Sequence, residues 1–149
     1  MSDDRYIQAV NSALLSFQML EESLKICIGL SYEIISASIP SEIDFKFSPE
    51  VLNENPLGVL ITMFSKVSKN EKLVIELRGK KKINLKWRNF LAHSAFVHNF
   101  QNNFSHSTFV EHSAEDVAKV AIVIGQLVSK VGEEIARLQD IRNRLCNVK

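Results

Sequence analysis

Ser113-Ala114-Glu115-Asp116-Val117 opens the stretch that decides the fold. From there Val117, Val120, Ile124, Leu127, Val131, Ile135, Leu138, Ile141 and Leu145 recur at three-and-four spacing, the period of one helical face, for about eight turns. Ser113 stands as an N-cap, and Glu115 and Asp116 place carboxylates at the positive end of the helix dipole. Arg142, Arg144 and Lys149 put cations at the opposite end. A helix this long with one apolar stripe must bury that stripe against other helices, so the chain is expected to be a bundle.

Partners for it are found by working back toward the N-terminus. From about Asp4 to Ala37, Val10, Leu14, Phe17, Leu24, Ile28 and Ile35 form one stripe. Ala13, Leu20, Cys27 and Ile34 form a second beside it. Together they predict a bundle helix with a wide apolar face. Glu21 falls on that face between Phe17 and Leu24. It is expected to reach past its neighbours to the surface, the alternative being a cation on an adjacent helix. Ser38 to Asn55 holds two of the three prolines and reads as a connection, with a helical turn after Ser48-Pro49. Asn55-Pro56 resembles an N-cap followed by proline at the first helical position. A second helix follows to about Val67, carrying Leu57, Leu60, Ile61, Phe64 and Val67. Ser68-Lys69-Asn70 breaks the pattern. A third helix then runs from Glu71 to about Ser94, loosened midway by Gly79. Between Phe96 and Glu111 the periodicity fails, and a loop or short hairpin turning at Asn102-Asn103 is expected. The expected fold is all-α: one domain over residues 1–149, an antiparallel bundle of four main helices with a loop or hairpin insertion before the last.

Composition agrees. The chain has 149 residues, 46% apolar and 23% charged, which fits one soluble globular domain rather than a disordered or low-complexity chain. Only 5 Gly and 3 Pro disfavour a turn-rich β sandwich. A net charge of +1 excludes a globally basic nucleic-acid coat but leaves room for a local basic patch. Cys27 and Cys146 lie far apart in no ligand spacing and are expected to be reduced thiols. The acidic start Met1-Ser2-Asp3-Asp4 lacks a secretory n-region, and the longest aliphatic runs are about five residues, far short of a bilayer span. The expected location is the cytoplasm, with no membrane partner.

Phosphate-binding glycine loops, HExxH, paired CxxC and GxSxG are all absent. His93, His98, His106 and His112 lack metal-ligand spacing, and neither metal nor cofactor is expected. His98, His106 and His112 read as solvated loop residues. One stretch stands apart: six of the eleven residues from Arg78 to Arg88 are basic, namely Arg78, Lys80, Lys81, Lys82, Lys86 and Arg88. That local density suits phosphate neutralisation, although most lysine runs are solvated helix faces. Helical geometry turns Ile83, Trp87, Phe90 and Leu91 toward the core. Arg88 and His93 flank the opposite side about 140° apart, with Leu85, Asn89 and Ala92 between them as a candidate partner surface. One helix does not aim both at one atom, but two copies about a two-fold axis do.

Arg88-Asn89-Phe90-Leu91-Ala92-His93 resembles the Arg-x4–6-His motif of the HEPN superfamily, the higher eukaryotes and prokaryotes nucleotide-binding domains. A polar residue directly after the arginine, here Asn89, is the form common among its RNase members. The order of a long first helix, a motif late in a middle helix and a long closing helix is similar as well. The resemblance implies a dimeric, metal-independent endoribonuclease of a toxin–antitoxin or other defence system, with RNA as partner and an antitoxin or inhibitor protein as a second. By that resemblance His93 transfers a proton to or from the ribose 2′-OH or the leaving oxygen, as histidine does near neutral pH. Arg88 holds the phosphate and its transition-state charge. Asn89 supports them, and Lys80, Lys81, Lys82 and Lys86 guide the RNA backbone. The branch paired with nucleotidyltransferase antitoxins carries a tyrosine two residues after the histidine. Ala95 stands there in this chain, so adenylylation at that position is not expected. The alternative is a catalytically silent HEPN-like module that binds RNA, nucleotide or protein. A third reading is an unrelated helical interaction protein in which His93 only caps or packs its helix.

Overall fold

Two long helices lying side by side form the spine of the protein: α1 (Ser2–Ser38) and α5 (Ala114–Asn147). The computed structural model describes residues 2–95 and 112–147. Between the two long helices come a 3-10 turn (Pro49–Glu54), α2 (Leu57–Val67), α3 (Glu71–Gly79) and α4 (Lys81–His93). The chain is all-α, with no strand among the described residues. The expected insertion turning at Asn102-Asn103, with His98 and His106, lies outside them.

The apolar stripes explain the packing. Val10, Ala13, Phe17, Leu20, Leu24, Cys27 and Ile28 of α1 meet Val117, Ile124, Leu127, Val131 and Leu138 of α5 in one buried cluster. Leu57, Leu60, Ile61 and Phe64 of α2, Leu73 and Leu77 of α3, and Leu91 of α4 complete it. Ser113 caps α5 as expected: its Oγ accepts from the Asp116 amide at 3.1 Å, and Asp116 Oδ2 accepts from the Ser113 amide at 3.4 Å. This reciprocal pair satisfies two donors at the helix start.

Directions follow from the contacts. α4 runs antiparallel to α1, since Arg88 meets Glu21 while Ala95, further on, meets Tyr6. α3 likewise opposes α5 through Asn70–Glu134 and Glu76–Lys130. α1 and α5 run in the same direction, Cys27 meeting Val131 and Glu33 meeting Arg142. The pairs α1–α4 and α3–α5 are thus antiparallel, whereas the two longest helices, which pack directly on each other, are parallel and depart from the antiparallel bundle expected. The connection after α1 turns back along it: Pro49, Leu52 and Asn53 line a recess with Lys25, Ile26 and Gly29.

Three local expectations are corrected. Asn55 is not the N-cap of α2: its amide donates to Leu52 O, closing the 3-10 turn, and Pro56 occupies the cap with its carbonyl accepting from Leu60. The expected third helix is two helices, because Gly79 ends α3 and Lys80, at φ −103° and ψ 6°, separates it from α4. Glycine lacks the side chain that favours helix, and three consecutive lysines follow it, so the helix yields there. Ile83 does not face the core but is 60% exposed, because α4 turns Asn84 and Leu91 inward instead.

Candidate functional site

The basic run from Lys81 onward and the Arg-Asn-x-x-x-His stretch fall on α4, whose rotation decides what each side chain can do. With Asn84, Leu91 and the following Ala95 buried, residues half a turn away point outward. Lys82, Lys86, Asn89 and His93 follow one another at i, i+4, i+7 and i+11, and all four are exposed. They form one solvent-facing stripe. Lys80 is exposed at the junction of α3 and α4, whereas Lys81 turns to α2 and donates to Thr62 Oγ1 at 2.9 Å. Three of the four expected RNA-guiding lysines therefore remain on the surface without a partner among the described residues, and Lys81 is tied to the fold.

Arg88 lies on the other flank, turned toward α1. Its Nε donates to Glu21 Oε1 at 3.0 Å, with the arginine side chain 35% and the glutamate 16% exposed. Glu21 thus pairs with a cation on a neighbouring helix instead of reaching past the core to the surface. The core residues Phe17 and Leu24 on either side of it hold the carboxylate at the α1–α4 seam. The bond uses only the Nε edge of the guanidinium. Its terminal amino groups donate to nothing among the described residues, so the planar fork is oriented yet still able to take an anion. Between Arg88 and His93 lie Asn89 and Ala92, both exposed. Leu85, expected on a partner surface, packs instead over Gly58 of α2, where a β-carbon would stand 3.2 Å from its Cδ1.

Within one chain, then, the arginine and the histidine of the motif sit on separate flanks of α4. His93 closes the helix, the Ser94 amide donating to Phe90 O at 2.8 Å, and its imidazole has no partner among the described residues.

On the far side of the lysine stripe an open cleft of about 480 Å³ is lined by Ile83, Lys86, Trp87, Asn89, Phe90 and His112. His112 is half-buried rather than a solvated loop residue. Its ring lies 4.2 Å from Trp87 and 4.7 Å from Phe90, and the Trp87 and Phe90 rings meet edge to face at 6.0 Å. The sequence gives half a signal for this, since Trp87 and Phe90 share a face of α4. The partner ring, His112, comes from the residue just before the Ser113 cap of α5.

Comparison with protein-family models, with curated proteins and with solved structures returns no significant match. What the site can do therefore rests on its own chemistry. Among the described residues no three His, Cys, Asp or Glu side chains group as metal ligands, and no helix is long and apolar enough to cross a membrane.

A second polar cluster lies at the α3–α5 seam. Glu134 is buried on the core face of α5. It accepts from Arg137 through both carboxylate oxygens and from Asn70 Nδ2 at 3.3 Å. The arginine hydrogen bonds hold its carboxyl below the usual carboxylate range against the opposing effect of burial. Nearby Cys27 donates to Val131 O at 3.7 Å, and burial, with the Glu134 charge second, pushes its thiol up to about 12. This cluster was readable in part. Glu134 sits between Val131 and Leu138 at core spacing, with a cation three residues on.

Proposed function

We propose that the protein is a metal-independent endoribonuclease of the HEPN type, acting in the cytoplasm as a homodimer in a defence or toxin–antitoxin system. The observation that carries this reading is Arg88. Its guanidinium is fixed at the α1–α4 seam through Nε, with its terminal amino groups still available, on the helix that ends in an exposed His93. Oriented in this way, an arginine suits a phosphodiester whose negative charge grows in the transition state. Because the motif residues occupy separate flanks of one helix, a complete site needs a second copy. The exposed strip of Asn89 and Ala92 is where two α4 helices would face one another.

In that dimer His93 takes the proton of a ribose 2′-OH, or delivers one to the departing 5′ oxygen. The 2′ oxygen bonds to phosphorus as the P–O5′ bond breaks, leaving a 2′,3′-cyclic phosphate and a 5′-OH. The step is an internal transesterification and needs no co-reactant. Lys82 and Lys86 on the outward stripe, with Lys80 above them, attract the polymer. An antitoxin or inhibitor protein covering this face is the partner that such a system implies.

A second reading is a catalytically silent HEPN-like module that binds RNA, nucleotide or protein. The partnerless imidazole of His93 favours it, since nothing among the described residues fixes its tautomer. Total RNA incubated in EDTA with wild type, Arg88→Ala and His93→Ala separates the two. Fragments ending in cyclic phosphate from wild type alone, with a dimer in sedimentation, support the ribonuclease. No cleavage by a folded dimer supports the silent module, and a monomer removes the composite site altogether.

A further inference from the structure

We infer that the cleft lined by Trp87, Phe90 and His112 is a pocket for an unpaired nucleobase, so that the preferred ligand of α4 is single-stranded RNA. The inference rests on the ribonuclease reading only for the identity of the polymer. Its own support is the cleft. At about 480 Å³ it lies within the size range of small-ligand pockets. Three rings brace one another along its wall at 4.2, 4.7 and 6.0 Å, giving an aromatic surface already ordered before anything binds. Bases of every kind offer a flat π face to such a surface, and a base held in a duplex does not reach it.

The polar groups at the rim match that occupant. Asn89 carries both donor and acceptor for the edge of a base, and Lys86 supplies a cation for the phosphate next to it. Among the described residues that line the cleft there is a cation, Lys86, and no carboxylate. Asn89 and Lys86 also belong to the stripe that leads from Lys82 to His93, which gives the sugar–phosphate chain a track beside the pocket. Ile83, 60% exposed at the rim, gains cover when a base enters.

Trp87 is the only tryptophan in the chain, so its fluorescence reports on the cleft alone. The test uses full-length His93→Ala protein, which leaves the RNA intact, titrated with a uridine hexamer, with an abasic ribose–phosphate hexamer of equal charge, and with duplex RNA. Saturable quenching by the uridine hexamer is expected, with little change from the other two. Phe90→Ala should weaken the uridine hexamer about tenfold. If that variant fails to fold, Ile83→Ala at the exposed rim should weaken it by a smaller factor. Equal quenching by the abasic hexamer, or retention of RNA on a filter with no change in fluorescence, overturns the pocket and leaves the ribonuclease reading intact. Quenching by the uridine hexamer, with a wild-type protein that does not cleave total RNA, keeps the pocket and removes the ribonuclease. A response to apolar peptides but not to the hexamer also overturns it.

Discussion

Glu21 shows how a single side chain can prepare another. An unheld arginine samples many rotamers, and fixing it during binding costs about 2 kcal/mol of side-chain entropy. Here the Nε bond to Glu21 sets the guanidinium plane before any ligand arrives. Glu21→Gln keeps the shape and removes the charge, so the pair should lose about 1 kcal/mol of stability, the screening at 35% exposure keeping the figure small. If Arg88 stabilises the transition state, RNA cleavage by Glu21→Gln should fall about tenfold or more in kcat with KM nearly unchanged. Glu21→Asp should restore part of it. A loss confined to melting temperature, with kcat intact, would make Glu21 a purely structural partner.

Among the elements, the junction at Gly79 and Lys80 sets where α4 begins. The apolar stripes of α1, α2 and α5 are unbroken, so their periodicity predicts most of their buried faces. Phe17, Phe64 and Ile124 are all at 2% exposure or less. α4 is rich in lysine and interrupted at its start, and its aromatic residues look like core. The spacing of Trp87, Phe90 and Leu91 therefore points the wrong way for Ile83. The true inward line passes through a polar residue, Asn84, that no hydrophobic pattern would choose. The separation of Arg88 and His93 about the helix was legible. The partner of Arg88 was not, because pairing across 67 positions leaves no local trace. Gly79 is also a direct target. A β-carbon there meets nothing within 4 Å and the backbone lies outside the left-handed region, so Gly79→Ala should stabilise the protein by about 0.5–1 kcal/mol in urea denaturation.

For the molecule as a whole, Glu134 joins two helices at one buried point, bonding Arg137 on its own α5 and Asn70 at the start of α3, with Cys27 of α1 nearby. Its carboxyl is held lower in the folded state than in the unfolded chain. The stabilisation is therefore complete above the ordinary carboxylate range and is lost as pH falls through the lower folded value, from about pH 5 downward. Glu134→Gln should destabilise by about 1–3 kcal/mol at pH 7, the worth of hydrogen bonds to a buried charge. It should also flatten the acid limb of a stability–pH curve measured by denaturation between pH 7 and pH 3. An unchanged acid limb would place the acid sensitivity elsewhere.

The two cysteines divide cleanly in the same fold. Cys27 is sealed in the core with its thiol pushed up to about 12, and Cys146 stands exposed near the end of α5. Maleimide chemistry reacts through the thiolate, so it reaches one sulfur and spares the other. The native sequence thus carries a single addressable handle. In a symmetric pair of chains, spin labels at the two Cys146 positions give one distance that orients the protomers, with no engineered cysteine and no disturbance of α4.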